Sequence, residues 1–218
     1  MSQIETLLLS RDFPYAQPWF YRHPWALRCE LGRGKSRSAF RRRARERAEA
    51  IYRVLFPHPA DAVIFDYRLE DWSTTGPALT EARDLSLEEA ARLLNANIRF
   101  EMTQLRFLET MQSRYRHVAV RDLPGDSDPE LRRHRIVCYA DEVGFDDLGL
   151  LRRQLQDEGL DIGLVSFTNE CILSIYDDRG CDVVFASHEK LAEFYPRLEP
   201  YFLDYDRPEM ERRLGGSQ

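Results

Sequence analysis

Four aspartates and two arginines near the C-terminus are the residues best placed to do chemistry. Asp177 and Asp178 precede Arg179 in Tyr176-Asp-Asp-Arg-Gly180, and Asp204 and Asp206 precede Arg207 in Leu203-Asp-Tyr-Asp-Arg207. A helix that returned the second group past the first would bring carboxylate oxygens together, and hard oxygen donors suit Mg²⁺ or Ca²⁺. Two such ions support phosphodiester chemistry, so one reading is a metal-dependent phosphoesterase or nucleic-acid hydrolase. The same residue types also make a clamp, in which Arg179 and Arg207 donate charge-assisted hydrogen bonds to the aspartates and tie the tail to the first motif. No recognisable helical ligand pair accompanies the aspartates, so the clamp is preferred and no cofactor is expected.

The elements around these residues follow from their patterning. Residues 171–187 read as a β-hairpin. If Asp178, Arg179 and Gly180 form a three-residue loop with Gly180 left-handed, Ile175 faces Val183, Leu173 faces Phe185 and Asp177 lies opposite Cys181. Leu164 to Thr168 joins this hairpin through an Asn169-Glu170 turn, giving a three-stranded antiparallel meander. Ser187 then caps a helix that packs Leu191 and Phe194 and is expected to break at Pro196 and Pro200.

Tyr176-Asp-Asp-Arg-Gly180, Asp182-Val183 and Leu203-Asp-Tyr-Asp-Arg207 resemble the C-terminal signature of the bacterial domain of unknown function 3885 family. Trp25-Ala-Leu-Arg-Cys-Glu-Leu-Gly32 and the arginine-rich helix ending Ile51-Tyr-Arg-Val-Leu-Phe56 are similar to its beginning. The resemblance implies one family unit reaching across both ends of the chain, with a variable middle. It implies no activity.

The chain's 218 residues, 43% apolar, are enough for a core without disulfides, and its net charge of −6 argues against general nucleic-acid affinity. No stretch approaches the length of a membrane span, and the start lacks the basic region of a signal peptide, so the protein is expected in the cytoplasm. Cys29, Cys138, Cys171 and Cys181 read as buried thiols. In the register above, Cys171 and Cys181 lie roughly 20 Å apart, beyond disulfide reach. The five histidines match no metal or nucleophile pattern.

Residues 1–24 form an aromatic and proline-rich arm that packs across the core, with Trp19, Phe20 and Trp25 as candidate partner-binding residues. Strands are expected at Trp25–Leu31, Ala62–Arg68, His117–Val120 and Ile136–Tyr139. Ser36–Phe56 reads as a helix with one apolar stripe and an arginine face interrupted by Glu46 and Glu49, the pattern of a solvated surface. Further helices are expected from Ser86 and over Asp146–Glu158, a surface loop at 123–130 and a disordered tail at 215–218, while residues 100–120 mix both periods.

The expected whole is a single α+β domain over 1–214, an antiparallel sheet with helices mainly on one face. The expected function is a non-enzymatic cytoplasmic binding protein, an immunity-type inhibitor of a partner (toxin) protein. The hydrolase is the alternative, and a structural role in a homo-oligomer stands third.

Overall fold

The computed structural model describes residues 2–10, 13, 18–69, 83–85, 115–123, 132–146 and 161–215. The helix expected from Ser86, the body of that over 146–158, the loop past Leu123 and residues 216–218 lie outside the described residues. The fold is α+β with antiparallel strand pairing. Contacts divide the chain into two compact units, residues 1–58 with 163–218, and residues 59–162.

The first unit is built from the two ends of the chain. Its strands are β1 (Ala26–Glu30), the end of β6 (Asp161–Ser166), β7 (Cys171–Ile175) and β8 (Gly180–Phe185). β1 pairs antiparallel with β8, β8 with β7 and β7 with β6, so the expected meander is present with β1 added at its edge. Every residue of β7 and β8 is buried. One face carries Phe185, whose ring stacks 5.4 Å from Phe194 of α3 (His188–Leu198). Ser187 caps α3 as expected, its hydroxyl accepting from the N–H of Lys190 at 3.3 Å. Pro196 lies inside this helix and does not break it. Its missing N–H would otherwise have paired one turn back, and the ladder resumes where Glu199 N–H donates to Tyr195 O.

Helix α2 (Arg37–Leu55) buries Ala44, Ala48, Ile51, Tyr52 and Leu55, the stripe read from its spacing, with Ser36 as N-cap. Two helices were not foreseen. Ser2 and Glu5 make a reciprocal capping box that starts α1 (Gln3–Leu8), and α4 (Arg207–Leu214) follows a 3-10 turn at Asp204–Asp206.

β1 is an edge strand, and its outward backbone groups are occupied. Arg28 N–H donates to Met210 Sδ at 3.4 Å, while the carbonyls of Ala26 and Glu30 accept from Arg213 at 2.9 Å and Arg47 at 2.7 Å. Side chains from α4 and α2, with an antiparallel backbone bridge between Cys29 and Phe202, thus close an edge that would otherwise template strand addition. Arg47 lies off the arginine face of α2, whose Arg37, Arg41, Arg42, Arg45 and Arg53 are exposed as expected.

The second unit holds β2 (Ala60–Leu69), β3 (Arg83–Leu85), β4 (Tyr115–Leu123) and β5 (Arg132–Val143). β5 pairs antiparallel with both β2 and β4, and β3 pairs with β4. The strand expected at His117–Val120 is present and extends over Tyr115–Leu123. Among the described residues no helix is long and apolar enough to cross a membrane.

Candidate functional site

The hairpin tip differs from the expected loop in register and in its glycine. Ile175 pairs with Cys181, Leu173 with Val183 and Cys171 with Phe185, a slip of two from the expected pairing. Gly180 is the first residue of β8 and does not have positive φ. It is glycine because space is short: a Cβ there would run into the Tyr176 hydroxyl and lie 3.0 Å from Cys29 O. Asp177 organises the four-residue connection. Its Oδ1 accepts from the N–H groups of Arg179 at 2.7 Å and Gly180 at 3.2 Å, and its Oδ2 from Arg179 Nε at 2.6 Å. This is aspartate turn chemistry with a local ion pair added.

Below the tip lies a buried charge cluster centred on Arg28. Hydrogen bonds link Leu31 N–H to Arg179 O and Phe185 N–H to Trp25 O. The odd positions of β1 are therefore the hydrogen-bonded pairs, and Arg28 faces Asp182 in a close non-hydrogen-bonded pair. Arg28 Nε donates to Asp182 Oδ1 at 3.0 Å, and the other carboxylate oxygen accepts from Phe20 N–H at 3.0 Å. Arg28 Nη1 also lies 3.8 Å from Asp206 Oδ2, an ion pair too long for a hydrogen bond. The guanidinium sits over the rings of Tyr21 at 4.4 Å, Phe20 at 5.0 Å and Tyr176 at 5.5 Å. Arg28 is 8% exposed and Asp182 fully buried.

Burial sets the titration of this cluster. It raises the Asp182 pKa, against the opposing pull of Arg28 and the backbone N–H groups of Phe20 and Trp19. It also works against the charge on Arg28, but the hydrogen bond and charge of Asp182 outweigh it and leave the guanidinium above its ordinary value. Tyr176 is raised, first by burial. Nearby, Cys29 and Cys181 face each other across β1 and β8, both buried, and the Cys181 thiol is held well above its ordinary value by its bond to Cys29 and by burial.

The six motif residues thus divide. Asp177 pairs with Arg179 within the tip, Asp204 lies 3.6 Å from Arg207 within its own turn, Arg207 reaches Glu199 at 3.0 Å, and Asp178 is exposed. The four aspartates do not converge; among the described residues no three His, Cys, Asp or Glu side chains form a metal-binding group. The tail is tied to the hairpin strand, but the arginine that does it is Arg28, through Asp182 and Asp206, and not Arg179 or Arg207. Trp19 and Phe20, expected as partner anchors, are buried, and Trp25 is half-buried. Their rings fill the core as the packing of the arm requires. Tyr21 and Tyr205, at 59% and 83%, are the large hydrophobic side chains left exposed among the described residues.

Arg28 and Asp182 were missed although each left a signal, a charge set between apolar neighbours, Leu27 and Cys29 in one strand and Cys181 and Val183 in the other. What joins them is the β1–β8 pairing, which spans 154 residues of sequence.

The fold and site define an α+β protein whose two chain ends are joined by a buried arginine–aspartate cluster. The family described as "Domain of unknown function (DUF3885)" matches residues 6–206, and the chain belongs to it. No curated protein and no solved structure matches the chain.

Proposed function

We propose that this is a non-enzymatic binding protein acting in the cytoplasm, an immunity-type inhibitor that neutralises a partner toxin protein. The observation that carries this reading is the exposure of Tyr21 and Tyr205 beside the Arg28 cluster. Tyr21 stacks directly on the guanidinium, and Tyr205 is the chain neighbour of Asp206, which pairs with it. Exposed tyrosines on a rigid base are what a protein partner would use as anchors, since aromatic rings bury much area at small entropic cost. The carboxylates support the same reading, because Asp177 is engaged in its own turn and Asp182 and Asp206 are engaged by the buried Arg28.

The test is affinity purification of the full chain from its own host cells, with and without Mg²⁺. A stoichiometric protein retained by the wild type and lost from Tyr21→Ala/Tyr205→Ala is the expected result. The reading fails if nothing co-purifies while Mg²⁺ or Ca²⁺ raises Tm and Asp178→Ala removes that rise.

A further inference from the structure

The N-terminal end of α2 concentrates positive charge on an acidic protein. Residues 33–45 carry seven Lys and Arg and no carboxylate, so a chain of net charge −6 carries −13 on everything else. All seven residues are exposed. Carboxylates from outside the run engage three of them: Glu30 pairs with Arg33, and Glu46 lies 3.7 Å from Arg42 and 3.4 Å from Arg43. Among the described residues Lys35, Arg37 and Arg41 enter no ion pair. Arg37 and Arg41 lie about 6 Å apart along the helix axis, on one face.

The segment is also held in place. The Phe40 ring occupies the space a side chain at Gly32 would need, seating the preceding loop on the helix, and Ser36 accepts from Ala39 N–H at 3.2 Å. The helix dipole adds to the positive potential at this end.

We propose that this face docks an acidic patch on the partner protein, an inference that rests on the binding reading above. Charge complementarity selects the occupant. A nucleic-acid duplex presents a continuous row of phosphates that would also meet Glu30, Glu46 and Glu49, which bound this short run, whereas a compact acidic protein surface can match the cationic run alone.

The test uses the full chain, a fluorescent dodecaglutamate peptide and a labelled DNA duplex. Arg37→Glu/Arg41→Glu changes two exposed helical positions to a residue of similar helix propensity that the dipole favours, so the fold is retained. The wild type should bind the peptide, with affinity falling about tenfold between roughly 50 and 200 mM salt, and the variant should lose about tenfold or more. No peptide binding, equal binding by the variant, or tighter binding of the duplex would each overturn the proposal. A partner still captured by Arg37→Glu/Arg41→Glu would overturn it too, and leave the binding reading standing. Peptide binding by the wild type that the variant loses, with no partner captured from cells, would sink the functional reading and with it the docking proposal, leaving only an anion-binding face.

Discussion

Asp182 shows how one buried residue serves two ends of the chain. It is fully buried, takes a hydrogen bond from Arg28 Nε and fixes the backbone of the arm through Phe20 N–H. Asp182→Ala leaves the Arg28 guanidinium buried without its main partner, and denaturant titration should show a loss of about 3–5 kcal/mol. Arg28→Met/Asp182→Leu, which removes both charges, should recover part of that loss, because Asp206 and Phe20 N–H still lose their partners; a double variant no better than the single would show that the buried unpaired arginine is not the cause.

His23 contributes a pH dependence of its own. It is buried between the rings of Phe13 and Trp25, and its Nδ1 accepts from Trp25 N–H at 3.3 Å, so protonation would set a donor against a donor. Burial, with Arg213 nearby, lowers its pKa from 6.5 to about 4. Because the folded value is the depressed one, its contribution is complete above pH 6.5 and is lost as pH falls toward 4. Over that window the wild type should lose on the order of 3 kcal/mol that His23→Gln does not. Glu209, lowered from 4.5 to about 2 by its hydrogen bonds to Arg212 and Arg213, adds its own loss only as pH falls below 4.5.

At the scale of elements, the hairpin tip separates turn chemistry from ion pairing. Asp177 accepts two backbone N–H groups, and Arg179 adds an exposed pair whose own side chain is 78% in solvent. Asp177→Ala should therefore cost about 1–2 kcal/mol, while Arg179→Ala should cost less than about 0.5 kcal/mol. Comparable losses from both in chemical denaturation would show that the ion pair, not the turn, holds the tip. Both positions drew one expectation from sequence, a clamp to the tail, and the structure splits them because each arginine finds a carboxylate within its own turn.

Across the whole molecule, the first unit depends on the last residues of the chain meeting the first strand. Met210 is fully buried beneath Arg28 N–H, and Arg213 donates to the carbonyls of His23 and Ala26. Deleting residues 207–218 exposes that edge and removes the packing, and should lower unfolding stability by about 3 kcal/mol or more. An unchanged midpoint would show that α4 is an appendage. The same deletion should increase self-association, measured by light scattering, because an uncovered edge strand pairs with other chains.

What the sequence determined by itself is local. Apolar spacing placed α2 and the strands, Ser36 and Ser187 marked helix starts, and the alternation of residues 164–185 required an antiparallel meander. Its register was legible only in parity, because side chains alternate with period two and a slip of two leaves the pattern unchanged. Tertiary structure alone decided that Arg28 would meet Asp182 and Asp206, that arginines of α2 and α4 would close the edge of β1, and that Trp19 and Phe20 would lie inside while Tyr21 stayed out. Each of these rests on strands or helices far apart in sequence, and pairing at that distance is settled by the sum of burial over the whole core, which no local spacing encodes.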